Sequence, residues 1–283
     1  MAEDTFDFDN PEAEESMSFD DEEEMDFDTA DVVFSTTGIP KLDALLMNGI
    51  PRGFTILIEG TPGAGMELFA KQFSGNSEEN ENVLYIATNE TTADIIYTMD
   101  NYGWNNQIDI FNVSSEYYDK VLFKELQAIR LKREGVSIED FEAGRLAENQ
   151  DDFKSIDFLA DIVYRISLLK PPFRVVIDSI DFFLEQYGDE AVLSALRTIK
   201  THTQKNNGLT LVTMVSNSHS QRVESGIRSI VDTIIELTVT QVASEFENRL
   251  IIRKVRNRPD KTSVLTYAIT EGGITPERIS RIV

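Results

Sequence analysis

Thr55-Ile-Leu-Ile-Glu-Gly60-Thr-Pro-Gly-Ala-Gly-Met-Glu67 joins a short apolar run to a glycine-rich turn, and a helical pattern follows from Met66 to Phe73. An apolar run this short, stopped by Gly and Pro, reads as a buried strand. Strand, glycine turn and helix in that order form the setting of the phosphate-loop pattern G-x-x-x-x-G-K-[ST]. Gly60, Gly63 and Gly65 permit the tight turn and let backbone N–H groups converge on an anion, with the positive end of the helix behind them. Residues Gly60, Thr61, Pro62, Gly63, Ala64, Gly65, Met66 and Glu67 are therefore the candidate nucleotide-binding segment, with ATP and magnesium as the expected ligands.

Two positions depart from the pattern. Met66 stands where the pattern has Lys, and it has neither charge nor donor. Glu67 stands at the Ser/Thr position, whose hydroxyl would ligate magnesium. Losing a charged donor to phosphate costs roughly 1.5–3 kcal/mol of binding. A carboxylate at Glu67 enjoys the helix dipole itself and repels a triphosphate. Lys71, five residues further on, is expected on the wrong helix face and too far from the turn to stand in for the missing lysine. Two readings stay open: the glycines serve only the turn, or backbone donors keep some nucleotide binding.

Outward from the loop, strands and helices alternate. Val83–Ala87, Phe173–Asp178 and Leu209–Val215 read as strands; Thr92–Tyr102, residues 121–133, Phe158–Leu169 and Glu190–Lys205 read as helices. Residues 135–152 read as a polar loop or lid. Thr233–Thr240, Leu250–Arg256 and Leu265–Ile269 make a strand-rich end. Strands separated by helices imply an α/β fold with a mainly parallel sheet covered on both faces, and the final run implies strands added at one edge.

Composition narrows the function classes. The 283-residue chain is 41% hydrophobic and has no cysteine, which excludes disulfides, thiolate metal sites and a Cys nucleophile. No apolar run approaches the roughly 18 residues of a membrane span, and a cytoplasmic protein is expected. Residues 1–31 hold fifteen Asp or Glu and no Lys or Arg, so −15 of the net charge of −24 falls there and −9 on the remaining 252 residues. That acidic stretch is expected to be a disordered tail outside a domain spanning 32–283. Phe6, Phe8, Phe19, Met25 and Phe27 are apolar anchors with which it would dock on a basic protein partner. A solubilising role is the plainer reading. A broad basic stripe is missing, so a nucleic acid partner is not expected.

Val175-Val-Ile-Asp178-Ser179 is an apolar strand ending in a carboxylate, the arrangement that orients magnesium or its water, and it makes Asp178 the candidate metal residue. Ser35-Thr-Thr-Gly-Ile-Pro-Lys-Leu-Asp43, Asn48-Gly-Ile-Pro-Arg-Gly53, the loop at 60–67, Tyr102-Gly-Trp104, Ile177-Asp-Ser179 and Thr270-Glu-Gly-Gly-Ile274 together resemble KaiC-like proteins of the RecA superfamily, over residues 34–277. The resemblance implies a RecA-like P-loop NTPase fold, ATPase chemistry and self-association, commonly as a hexamer. It also implies paired glutamates after the second strand, one of which activates water. Asn89-Glu90 matches that pair, leaving Glu90 as the candidate general base; a helix-capping role is the alternative. Finally it implies a Lys and an Arg given to a neighbouring subunit's phosphate, matched here by Lys254 and Arg256 in Leu250–Arg256, with Asp260 where the family has His. An edge strand with protective charges is the alternative reading of that segment.

Ser216-Asn-Ser218 falls where such domains place a nucleotide-sensing residue. His202 and His219 have no partners at recognisable spacing, and Trp104 reads as a packing residue. The changes at Met66, Glu67 and Asn89 favour a regulatory or assembly protein that binds ATP weakly or not at all. An oligomeric ATPase with Lys254 and Arg256 acting in trans is the alternative, and a recombinase-like DNA mediator ranks last.

Overall fold

A computed structural model describes residues 32–46, 48–119, 157–242 and 245–280, together with Ile129 and Arg133. The acidic stretch 1–31 and the lid at 135–152 lie outside the described residues, as does the helix expected over 121–133 apart from those two positions. The chain divides into two units, residues 1–32 and 33–283. The second unit is the α/β domain.

Its centre is a nine-stranded sheet. In chain order the strands are β3 (Thr55–Gly60), β4 (Asn82–Ala87), β5 (Asp109–Asn112), β6 (Phe173–Asp178), β7 (Leu209–Val215), β8 (Thr233–Val242), β9 (Glu245–Val255), β10 (Ser263–Thr270) and β11 (Gly273–Ser280). A separate two-stranded ribbon pairs β1 (Phe34–Ser35) with β2 (Ile50–Pro51). Across the main sheet the order is β11-β10-β9-β8-β3-β7-β6-β4-β5. From β8 to β5 every neighbouring pair is parallel, and β9, β10 and β11 add antiparallel strands at one edge. The expected α/β architecture with a strand-rich edge is what the chain adopts.

Helices cover both faces because parallel strands need crossovers and have no solvated side. On one face lie α1 (Pro40–Leu45), α2 (Met66–Gly75) and α3 (Thr92–Asn101), packed on Ile56, Ile58 and Val176. The other carries α4 (Val113–Tyr117), α5 (Phe158–Ser167), α6 (Asp181–Tyr187), α7 (Asp189–Lys205) and α8 (Gln221–Ile230), packed on Leu57, Val175 and Val212. Adjacent residues of one strand thus feed opposite cores, the period-2 consequence of the pleat. β1, β2, β5, β11, α1, α4, α6 and α8 do not follow from the sequence pattern; β1, β2, α1, α4 and α6 are short, β5 and β11 are edge strands with weaker apolar patterns, and α8 is polar on its outer face.

Topology sets where the site lies. The carboxyl ends of β3, β7, β6 and β4 lie side by side, so the turns after Gly60, Val215, Asp178 and Ala87 share one rim. Backbone bonds stitch that rim: Ser216 N–H donates to Gly60 O at 2.8 Å, and Thr88 N–H donates to Asp178 O at 2.8 Å. Among the described residues, no helix is long and apolar enough to cross a membrane.

Candidate functional site

The loop after β3 has the geometry its glycines predict. Gly63 and Gly65 take φ values of +83° and +81°, which a side chain resists, and Gly65 caps α2 in the left-handed region. A Cβ on Gly60 would meet Leu237 O at 2.4 Å, so β8 presses directly against the start of the loop. At Gly63 an added Cβ meets nothing within 4 Å, leaving the crown of the turn open. The amides of Gly63, Gly65, Met66 and Glu67 take no acceptor among the described residues, as expected for a loop running into a helix N-terminus. The backbone cradle therefore suits an anionic phosphate.

The side chains of the loop do not extend that cradle. Met66 is buried, and its sulfur sits 3.2 Å from where a Gly60 Cβ would be, so the thioether is core packing beneath the turn. Glu67 is exposed in the first turn of α2. From above, the Tyr267 hydroxyl of β10 donates to Ala64 O. Burial, and then the charge of Glu67, pushes that phenol up to about 12.

Asp178 ends β6 on the same rim. Its Oδ2 accepts from the Tyr85 hydroxyl at 2.5 Å, and its Oδ1 accepts from Thr213 Oγ1 at 2.7 Å. Tyr85 is fully buried, and its phenol is raised well above its ordinary range by burial first and the Asp178 charge second. Asp178 thus spends one lone pair of each oxygen on a neighbouring strand. Among the described residues no three Asp, Glu, His or Cys side chains converge as a metal cage, and Glu67 replaces the hydroxyl of the loop pattern. The magnesium half of the expected ligand finds a poorer fit than the phosphate half.

Glu90 follows β4, and Asn112 Nδ2 donates to its backbone carbonyl at 2.7 Å. Its carboxylate does not cap α3; Thr91 does, accepting from Asp94 N–H. Instead Glu90 Oε1 meets Lys71 Nζ at 2.7 Å. This corrects the expectation for Lys71. Helical side chains lean toward the N-terminus, and a lysine stem spans a full turn. Lys71 Nζ accordingly lies 3.4 Å from Glu67 O, beside the first turn of α2, although the side chain as a whole is only 2% exposed. Asn89 is exposed next to it.

Lys254 and Arg256 stand elsewhere. Lys254 Nζ donates to Arg228 O at 2.9 Å and Val231 O at 2.6 Å; Arg256 pairs with Asp232 at 2.9 Å and lies 4.6 Å over the Phe54 ring. Burial first, and then Lys200, holds the Lys254 ammonium below its ordinary value. Asp232 also accepts from Thr55 N–H at the start of β3, whereas the loop leaves its end, and six residues of strand span roughly 20 Å. The two cations therefore lie at the opposite end of the sheet from their own chain's loop.

Two contacts escaped the sequence reading because their partners are far apart along the chain. His219 Nε2 lies 2.7 Å from Asp181 Oδ1 in the turn after β7, so His219 has the carboxylate partner its spacing did not reveal. Glu59, one residue before the loop, is buried against Arg228, which also holds Glu224; burial raises the Glu59 carboxyl above its usual value. Among the described residues, Ser216 Oγ on the rim is buried with no partner. His202 stacks on Phe173 with ring centroids 5.5 Å apart, and Trp104 stacks on Tyr102 at 4.6 Å against Gly75, both structural roles.

The family model described as "ATPase: KaiC" matches residues 35–278. Among curated proteins, the chain is 28% identical to a UPF0273 protein of Aeropyrum pernix over 257 residues, covering 87% of this chain and 95% of that one. It is 27% identical to a UPF0273 protein of Thermotoga maritima, covering 84% and 93%. The circadian clock oscillator protein KaiC of Parathermosynechococcus lividus is 25% identical over 84% of this chain but only 41% of its own length. The crystal structure of a KaiC-like protein of Pyrococcus horikoshii superposes with a TM-score of 0.57 at 21% identity, covering 87% of this chain and all of that one, which speaks to the fold alone.

Proposed function

Because the chain belongs to the KaiC family of ATPases, we propose that it is a regulatory or assembly protein whose site holds ATP weakly, turns it over slowly or not at all, and acts through protein contacts. One observation carries this reading: with the loop empty, the rim side chains of Glu90, Asp178 and Met66 are each engaged within the chain. Glu90 is paired with Lys71, Asp178 with Tyr85 and Thr213, and Met66 is folded into the core. The open backbone cradle remains, and it supports binding without supporting chemistry.

Protein contacts enter the proposal through composition. The acidic, Phe-bearing stretch 1–31 suits a basic partner surface, and self-association follows the family resemblance. Lys254 and Arg256 lie at the far end of the sheet from their own loop, so a phosphate they met would be another copy's, which supports the second reading.

The test is phosphate release from ATP with magnesium, beside a nucleotide thermal shift. The expected outcome is a shift with little or no release. Replacing Met66→Lys together with Glu67→Thr should tighten ATP by about tenfold or more, the effect of one charged donor. Brisk magnesium-dependent release by the unsubstituted protein would overturn the reading.

A further inference from the structure

Lys71 is out of place by the ordinary rules of a helix face. The other side chains that α2 turns inward are mostly apolar, with Leu68, Phe69 and Phe73 among them. An ammonium buried in such a row is costly unless it is paired and hydrogen-bonded. A methionine or leucine would fill the same space at no such cost. The Lys71 side chain is 2% exposed, and its Nζ lies between Glu67 O and the Glu90 carboxylate, whose side chain is 30% exposed. The charge therefore sits directly behind the Glu90 carboxylate on the rim.

Its position on that rim is specific. On one side lies the first turn of α2, with the free amides of Met66 and Glu67 at its start. On the other lies Glu90 in the turn after β4. The loop pattern expects a lysine at position 66 and here receives a thioether facing the core. Five residues later, about one and a half turns on, Lys71 leans back to Glu67 O. The cation has moved along the helix, and its charge still reaches the loop's end of it.

We propose that Lys71 is the phosphate-binding cation of this site, and that Glu90 is its resting counter-ion, displaced when the terminal phosphate of a nucleotide arrives. The inference rests on the reading that nucleotide enters the loop. A polyphosphate offers several negative oxygens to an ammonium that otherwise has one carboxylate, and the amides of the loop hold the rest of its charge. Glu90 then swings toward solvent, away from the like-charged phosphate, and stays out of position to act on water. The same pair explains how an empty loop keeps a buried lysine: without anion, Glu90 neutralises it.

Three proteins and three probes test this. The unsubstituted chain, Lys71→Met and Glu90→Gln are titrated with ATP, AMP and inorganic tripolyphosphate, binding being read by thermal shift and calorimetry. Lys71→Met keeps the length and apolar contacts of the stem, and the Glu90 it leaves behind has access to water, so the variant is expected to fold. ATP and tripolyphosphate should weaken by about tenfold or more in Lys71→Met, the loss of one charge-assisted bond, while AMP changes little. In Glu90→Gln both polyphosphates should tighten, because the ammonium no longer has a competing partner. A purely structural lysine would move all three probes alike. Equal tripolyphosphate affinity in Lys71→Met and the unsubstituted chain overturns the role of Lys71 and leaves the reading of a weak nucleotide site standing. No response of the unsubstituted chain to either polyphosphate overturns the role of Lys71 as well, and leaves a regulatory protein without a ligand in its loop. Fast hydrolysis by the unsubstituted chain, with Lys71→Met weakened, would sink the proposed function and keep the cation.

Discussion

Tyr267 donates its hydroxyl to Ala64 O and is 3% exposed, so it pins the crown of the loop from the strand-rich edge. Tyr267→Phe leaves a buried carbonyl unsatisfied and should cost about 1–3 kcal/mol in urea unfolding. The pH dependence has a definite sign. The folded phenol is raised from 10.0 to about 12, so the native state keeps its proton where the unfolded chain releases it. The contribution of Tyr267 to stability is therefore constant below pH 10 and falls as pH rises toward about 12. Tyr267→Phe should flatten that alkaline decline, and an unchanged slope would remove Tyr267 as its source. Asp232 makes a second prediction at this scale. It is fully buried, pairs with Lys200 and Arg256, and accepts from Thr55 N–H. Asp232→Ala strands those partners and should cost about 3–5 kcal/mol, read by denaturant midpoint.

At the scale of the element, the β10–β11 hairpin locks onto α2 through one glutamine. Gln72 Nε2 donates to Gly38 O at 2.9 Å, and its Oε1 accepts from Ile274 N–H at 2.8 Å. The turn of the hairpin approaches so closely that a Cβ on Gly273 would meet Gln72 Oε1 and Trp104 Cζ2, each at 2.5 Å, at a φ of +95°. Gly273→Ala should therefore destabilise by about 1–3 kcal/mol through overpacking and backbone strain together. Thermal unfolding measures it; a change below a few tenths would mean that the hairpin yields freely. Elements with a strong period were legible beforehand: β3, β6, β7 and α7 emerge within a residue or so of where alternation and helical spacing place them. β5 was not, because its four residues carry too little pattern, and neither was α8, whose buried Glu224 breaks its apolar stripe to hold Arg228.

For the molecule as a whole, the sheet order predicts a gradient of local stability. β3 and β7 are central, flanked on both sides and covered on both faces, whereas β5 and β11 are edges. Amide exchange should be slowest in β3 and β7 and faster at β5 and β11, since interior strands open only with the global transition. Equal protection across the sheet would mean that the antiparallel edge unfolds together with the parallel core. The same order explains why the site is a rim: parallel strands bring their carboxyl ends together, and loops from residues more than a hundred positions apart meet there.

The sequence alone determined the α/β class, the strand–loop–helix unit at 55–73, and the residue types at positions 66, 67, 90 and 178, because these follow from local periodicity and from glycine's freedom at positive φ. Tertiary structure alone decided what those residues touch. Lys71 was set aside on helical spacing, and the lean of its side chain carried it to Glu90. Lys254 and Arg256 share a strand segment with the family's phosphate fingers, and only the fold shows that within one chain they meet Val231 O and Asp232 at the sheet's other end. Charges pair through space over a few ångströms, and the separations that matter, 19 residues for Lys71 and Glu90 and 24 for Arg256 and Asp232, leave no periodic trace in the chain.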